Sequence, residues 1–127
     1  MKNLYKLIVL FSMALSLGSC YYDTYYENVT PPPDDISYSN DIEPLWKDDC
    51  EECHKGASNS FPPDLRVGVS YNNLIDGYVE PGDSENSILY QTLVESNGRS
   101  LMPPDGAWPQ STIELVKAWI DQGAENN

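Results

Sequence analysis

Cys50-Glu51-Glu52-Cys53-His54 puts two thiols and an imidazole within five consecutive residues. Cys-x-x-Cys-His is the spacing at which c-type haem is attached: the two thiols add across the haem vinyl groups and the adjacent histidine ligates the iron. Offsets of three and four place Cys50, Cys53 and His54 on one side of a helical turn, so one local element supplies both covalent links and the proximal ligand. Three other uses of the same residues compete. Zinc wants four nitrogen or sulfur ligands, and with three cysteines and one histidine in the whole chain, one of those cysteines spoken for below, it would need carboxylates or a second chain. A thioredoxin-like dithiol wants a preceding strand in a β-α-β pattern, which the sequence does not show. A structural disulfide across two residues is sterically poor and closes too short a loop to stabilise much.

Met102 is the second residue with chemistry to offer. Met1 and Met13 fall in an N-terminal segment expected to be removed, which leaves Met102 as the one methionine of the processed chain, 48 residues after His54 and directly before Pro103-Pro104. Proline fixes its own φ and restricts the residue before it, so such a loop can present a thioether without regular structure. A methionine filling a core gap is the plainer use. With no second histidine, however, the sixth ligand of a haem iron reduces to Met102, a lysine or water. The missing distal histidine also argues against peroxidase chemistry, so no enzymatic activity and no small-molecule substrate are expected.

The elements that must position these residues read as helices joined by proline-rich loops. Ser39, Asn40 or Asp41 can cap a first helix with Pro44 in its first turn and Ile42, Leu45 and Trp46 on one face; it runs into the cysteine motif. A brief helix is predicted over 70–76. After the turn Pro81-Gly82-Asp83, Ile88, Leu89 and Leu93 recur at helical spacing to about Glu95. Residues 96–110 hold too many breakers for a regular element. Ser111 and Glu114 then form a predicted capping box for a last helix with Ile113, Leu115, Val116, Trp119 and Ile120 on one half, stopped by Gly123.

Ahead of this body lie two other segments. Lys2 and Lys6, the apolar stretch Leu7 to Leu17 and the small pair Gly18-Ser19 have the layout of a secretory signal over 1–19, since the run is too short to span a bilayer. Leu17-Gly18-Ser19-Cys20 resembles a bacterial lipobox, which implies acylation of Cys20; the plainer alternative is ordinary cleavage that leaves Cys20 as a free thiol. Residues 20–35, with four tyrosines in six residues and then Pro31-Pro32-Pro33, read as an extended tether, or as a docking segment in the alternative. The globular part is placed at 36–127.

Charge excludes whole classes of function. Seven Lys plus Arg stand against twenty Asp plus Glu, a net −13. Past residue 19 only Lys47, Lys55, Arg66, Arg99 and Lys117 oppose all twenty acids, so the exported chain sits near −15. Nucleic acid, whose counterions must be displaced by cations, is excluded as a partner. Attraction to anionic lipid is excluded likewise, so membrane attachment must come through Cys20.

Residues from about Tyr38 to Ala124 resemble a small class I cytochrome c domain of the short variety found in planctomycete and Bacteroidetes proteins. The likeness rests on Ser39-Asn40-Asp41-Ile42-Glu43-Pro44-Leu45 before the haem motif, Pro81-Gly82-Asp83-Ser84-Glu85-Asn86-Ser87 opening a middle helix, Met102-Pro103-Pro104, and the ending Trp119-Ile120-Asp121-Gln122-Gly123-Ala124. It implies an all-α fold whose first and last helices cross around one covalent haem c, with His54 and Met102 as iron ligands. It also implies that Pro63, in Phe61-Pro62-Pro63-Asp64-Leu65, offers a backbone carbonyl to the proximal histidine. Ile42, Leu45, Trp46, Leu89, Leu93, Val116, Trp119 and Ile120 would close around the haem, and Trp108, Arg99 and Tyr90 are candidate contacts for its edge or propionates. The expected function is that of a one-electron carrier, exported and lipid-anchored to the cell envelope, with the outer membrane favoured, that meets a redox protein through a basic patch on that partner. A haem-based gas sensor and an electron-entry module for an enzyme on another chain are the alternatives.

Overall fold

Proline at position 44 shapes how the helical body begins. In this computed structural model, which describes residues 31–56 and 61–127 and, apart from them, only Lys6, the chain turns helical at Tyr38. A π-helical turn, Tyr38–Ile42, runs straight into helix α1, Glu43–Asp49. The Ser37 side chain caps the turn by accepting from the Asn40 amide. The start is therefore earlier than the Ser39–Asp41 cap expected from sequence. Pro44 has no amide to donate, and the change from π to α geometry falls beside it, where the Glu43 amide still reaches back to the Tyr38 carbonyl. The signal, Cys20 and the first part of the tether lie outside the described residues.

Three further helices follow: α2 (Ser70–Ile75), α3 (Ile88–Leu93) and α4 (Gln110–Asp121). Among the described residues there is no strand, and no helix is long and apolar enough to cross a membrane. α3 stops before the expected Glu95, which takes φ +50, while the Ser96 amide closes onto the Gln91 carbonyl. α4 begins one residue before Ser111, so the predicted capping box does not form. Pro109 holds the cap position without a side-chain bond, and Glu114 instead accepts from the Gln110 side-chain amide at 2.7 Å. Gly123 does end this helix, with φ +109 just past the cap, a conformation open to a residue without Cβ.

Burial explains the packing. Ile42, Trp46, Leu89, Leu93, Val116, Trp119 and Ile120 are all buried as expected, whereas Leu45 is half-buried and packs at the edge of the core. The last helix packs against the π-helical turn and α3; Tyr38 and Trp119 meet at 5.1 Å between ring centroids. The turn 81–87 fastens to the end of α4, its Gly82 amide donating to the Ile120 carbonyl and its Ser84 amide to Asp121 Oδ1. Among the described residues no buried side-chain nitrogen or oxygen lacks a hydrogen-bond partner. Trp46 Nε1 donates to the Tyr38 hydroxyl, Tyr38 to Ser70 Oγ, and Ser70 to Glu43 Oε1, so a chain of three hydrogen bonds runs from the core to the flank of α1.

Candidate haem-binding site

The cysteine motif continues α1 by a single closing turn. Cys50 occupies the end of the helix, and its carbonyl accepts from the amides of Cys53 at 3.2 Å and His54 at 2.9 Å. That turn gathers the three side chains locally, as their offsets require. The chain downstream is then laid back against it. The Phe61 amide donates to the Cys53 carbonyl and the Leu65 amide to the His54 carbonyl, so the proline loop between them lies alongside the motif.

This doubling back places His54 Nδ1 3.1 Å from the backbone oxygen of Pro63. A carbonyl can only accept, so Nδ1 carries a proton, and the neutral ring then has its lone pair on Nε2, the form in which imidazole binds a metal.

Cys50, His54, Pro63 and Met102 line one cavity of about 220 Å³. Its wall is otherwise mostly apolar, with Trp46 from α1, Leu74 from α2, and Ile88, Leu89 and Leu93 from α3. A second, outer hollow shares Cys50, His54, Pro62 and Met102 with it and adds Cys53, Phe61, Pro103 and Pro104. The two cysteines, the histidine and the methionine therefore line two adjoining hollows that have four residues in common. Met102 is fixed there by its amide, which donates to the Thr92 carbonyl at 2.9 Å at the end of α3.

The thiols differ in setting. Cys53 is exposed and Cys50 half-buried; burial, with the negative charge of Asp49 and then Cys53 beside it, pushes the Cys50 thiol up to about 12. Cys50 is accordingly a neutral thiol at ordinary pH. Among the described residues no group of three or more His, Cys, Asp or Glu comes together to hold a bare ion.

Of the three candidate contacts, only Arg99 lines the cavity. Trp108 stacks on the outer side of Trp46, with centroids 5.8 Å apart and planes 17° apart, and donates from Nε1 to Asp49 Oδ2 at 2.8 Å. Tyr90 lies beneath Lys117 Nζ on the last helix, and burial raises its hydroxyl above the usual range. Leu74, Tyr78 and Thr92 line the cavity as well, and none of them belongs to a sequence motif. Leu74 could have been found from its apolar type within a predicted helix. Thr92 acts through its backbone and carries no signal in sequence.

Residues 50–106 match a family model described as Planctomycete cytochrome C. The match begins on the first cysteine of the motif and extends past Met102 to Gly106. The chain carries a cytochrome c-type domain. No curated protein and no solved structure matches the chain. A cytochrome c domain implies covalently bound haem c, and the donor set fits it: two thiols and an imidazole from one turn, and a thioether, line apolar hollows that share residues. Such a domain also suggests a haem-based carrier of electrons.

Proposed function

We propose that this cytochrome c domain is a monohaem class I electron carrier, tethered to the cell envelope by lipid on Cys20, that exchanges single electrons with a redox protein and turns over no substrate. The observation that carries the reading is the shared cavity of Cys50, His54 and Met102. Cys50 and Cys53 would supply the sulfurs of two thioether links. His54 would bind iron through Nε2 while Pro63 holds its ring by Nδ1, and Met102 would close the sixth position. Bound there, haem supplies a one-electron ferric/ferrous couple. The apolar liners Trp46, Leu74, Leu89 and Leu93 exclude water, and a neutral thioether opposite imidazole favours the reduced state more than a second imidazole would. The excess of acidic residues favours a partner with a basic patch, whose association slows as salt rises.

The test is expression with the haem-attachment machinery, followed by spectra of the wild type and of Met102→Ala. Haem retained under denaturing conditions and a methionine-ligand spectrum lost in the variant support the reading. An unchanged spectrum in the variant would remove Met102 as a ligand. Rapid, complete reaction of the wild-type ferrous protein with carbon monoxide would favour gas binding over electron transfer.

A further inference from the structure

Met102 is carried by a short closed loop. Its amide donates to the Thr92 carbonyl, the Ser96 amide to the Gln91 carbonyl and the Arg99 amide to the Ser96 carbonyl, each at 2.9 Å. The last of these bonds closes a four-residue turn, Ser96-Asn97-Gly98-Arg99, whose two central residues have φ +51 and +74. Positive φ at both central positions defines the turn in which Asn-Gly is the preferred pair. Asn97-Gly98 is also the one Asn-Gly step in the sequence.

The pair is exposed, and nothing lies within 4 Å of where a Cβ on Gly98 would stand. Among the described residues neither the Asn97 side chain nor the Gly98 amide has a hydrogen-bond partner. Asn40 and Asn86 differ on both counts. The Asn40 side chain donates to Ser37 Oγ and that of Asn86 to Asp83 Oδ2. The amides that follow them, of Asp41 and Ser87, donate to the carbonyls of Ser37 and Ser84.

A carboxamide beside an unpaired, unshielded backbone amide is placed for intramolecular attack. We propose that Asn97 is a modification site at which the Gly98 nitrogen closes on the Asn97 side-chain carbon, and that one product of this reaction detaches Met102 from the haem iron. The Gly98 N–Asn97 Cγ bond forms, the Cγ–Nδ2 bond breaks, and ammonia leaves with the Gly98 amide proton. Water then opens the cyclic imide at either carbonyl, to aspartate or to isoaspartate; no oxidant or reductant takes part. Both products add a negative charge, but only isoaspartate reroutes the main chain through Cβ and lengthens it. In a turn closed by one bond over four residues, the extra atom breaks the Arg99–Ser96 contact and loosens the loop that presents Met102. The effect on iron rests on the haem reading of the site; the modification itself does not.

The experiment keeps haem-loaded protein in mildly alkaline buffer and follows it by peptide mass spectrometry and visible spectra. Asn97 should convert about tenfold faster than Asn40 or Asn86, each of which must first open two hydrogen bonds. The methionine-ligand band should fall in proportion to the isoaspartyl fraction at position 97. Freshly prepared Asn97→Asp, which adds the charge without lengthening the chain, should keep the band. Conversion at Asn97 no faster than at Asn40 and Asn86 overturns the site. Isoaspartate that leaves the band intact, or a fresh Asn97→Asp that already lacks it, overturns the link between chain lengthening and Met102. A wild type that retains no haem under denaturing conditions overturns the haem reading, while the peptide measurement still decides the modification.

Discussion

His54 Nδ1 and the Pro63 carbonyl oxygen stand 3.1 Å apart. In a haem-loaded site this bond would make the imidazole a stronger donor at Nε2 and so would favour ferric iron over ferrous. Pro63→Gly frees the loop and weakens that bond. The reduction potential of the loaded protein should then rise by about 20–65 mV, the equivalent of one hydrogen bond of 0.5–1.5 kcal/mol for a one-electron couple. Protein-film voltammetry reads it, and a potential that stayed level or fell would contradict the role given to Pro63.

Tyr38 is the middle of a buried hydrogen-bond chain. Its hydroxyl accepts from Trp46 and donates to Ser70, and all three residues are almost completely buried. Tyr38→Phe strands the indole N–H, so unfolding free energy should drop by about 1–3 kcal/mol. Denaturant titration of the loaded protein measures this. Ser70→Ala leaves the Trp46 bond in place and should cost less.

Gly56 and Gly68 separate backbone strain from crowding. Both have positive φ, +64 and +82, but a Cβ on Gly56 would run into the Asp64 carboxylate, whereas one on Gly68 meets nothing within 4 Å. Alanine at either site should cost about 1–2 kcal/mol for the left-handed backbone. Gly56→Ala should cost more and also disturb the Asp64–Arg66 pair beside the histidine loop. Equal losses in the two variants, by thermal unfolding, would show that the Asp64 contact yields freely.

The two thiols should react in order in the haem-free chain. Thiolate is the reactive form, and Cys50 is pushed from the ordinary 9.0 to about 12 by burial and the neighbouring negative charge. At pH 8 an alkylating reagent should label the exposed Cys53 first, as followed by peptide mass spectrometry. Cys50 should catch up only as pH approaches 12. The sign for stability follows: folding favours the protonated thiol, so this contribution is intact below about pH 9 and is lost as pH rises through 12. Equal labelling at pH 8 would show that Cys50 is open to solvent.

What could be read in the sequence was local. Cys50, Cys53 and His54 gather because their offsets fit one turn, and the faces of α1 and α4 follow from helical spacing. Met102 was singled out by elimination, but its place beside His54 depends on an amide that reaches ten residues back to Thr92, which no periodic pattern encodes. The cap at Ser37 was missed because Pro44 suits a first turn, and sequence offers no sign that a π turn can precede it. The Ser111–Glu114 box failed for a related reason. Capping boxes compete with side-chain pairs, and Gln110, four residues ahead of Glu114, took the glutamate.

The two ends of the described body are clasped together. The Ser39 amide and hydroxyl both donate to the Asn127 carbonyl, and the Tyr38 amide donates to Asn127 Oδ1. Gln122 meanwhile accepts from the Ile36 amide and donates to the Pro33 carbonyl. Neither Asn127 nor Pro33 borders the cavity. Entry and exit of the chain thus share one doorway, away from the cofactor space. Such a body has the layout of a cassette: splicing it into a surface loop of another protein, or joining its ends and reopening it elsewhere, should not pull on the residues that line the cavity.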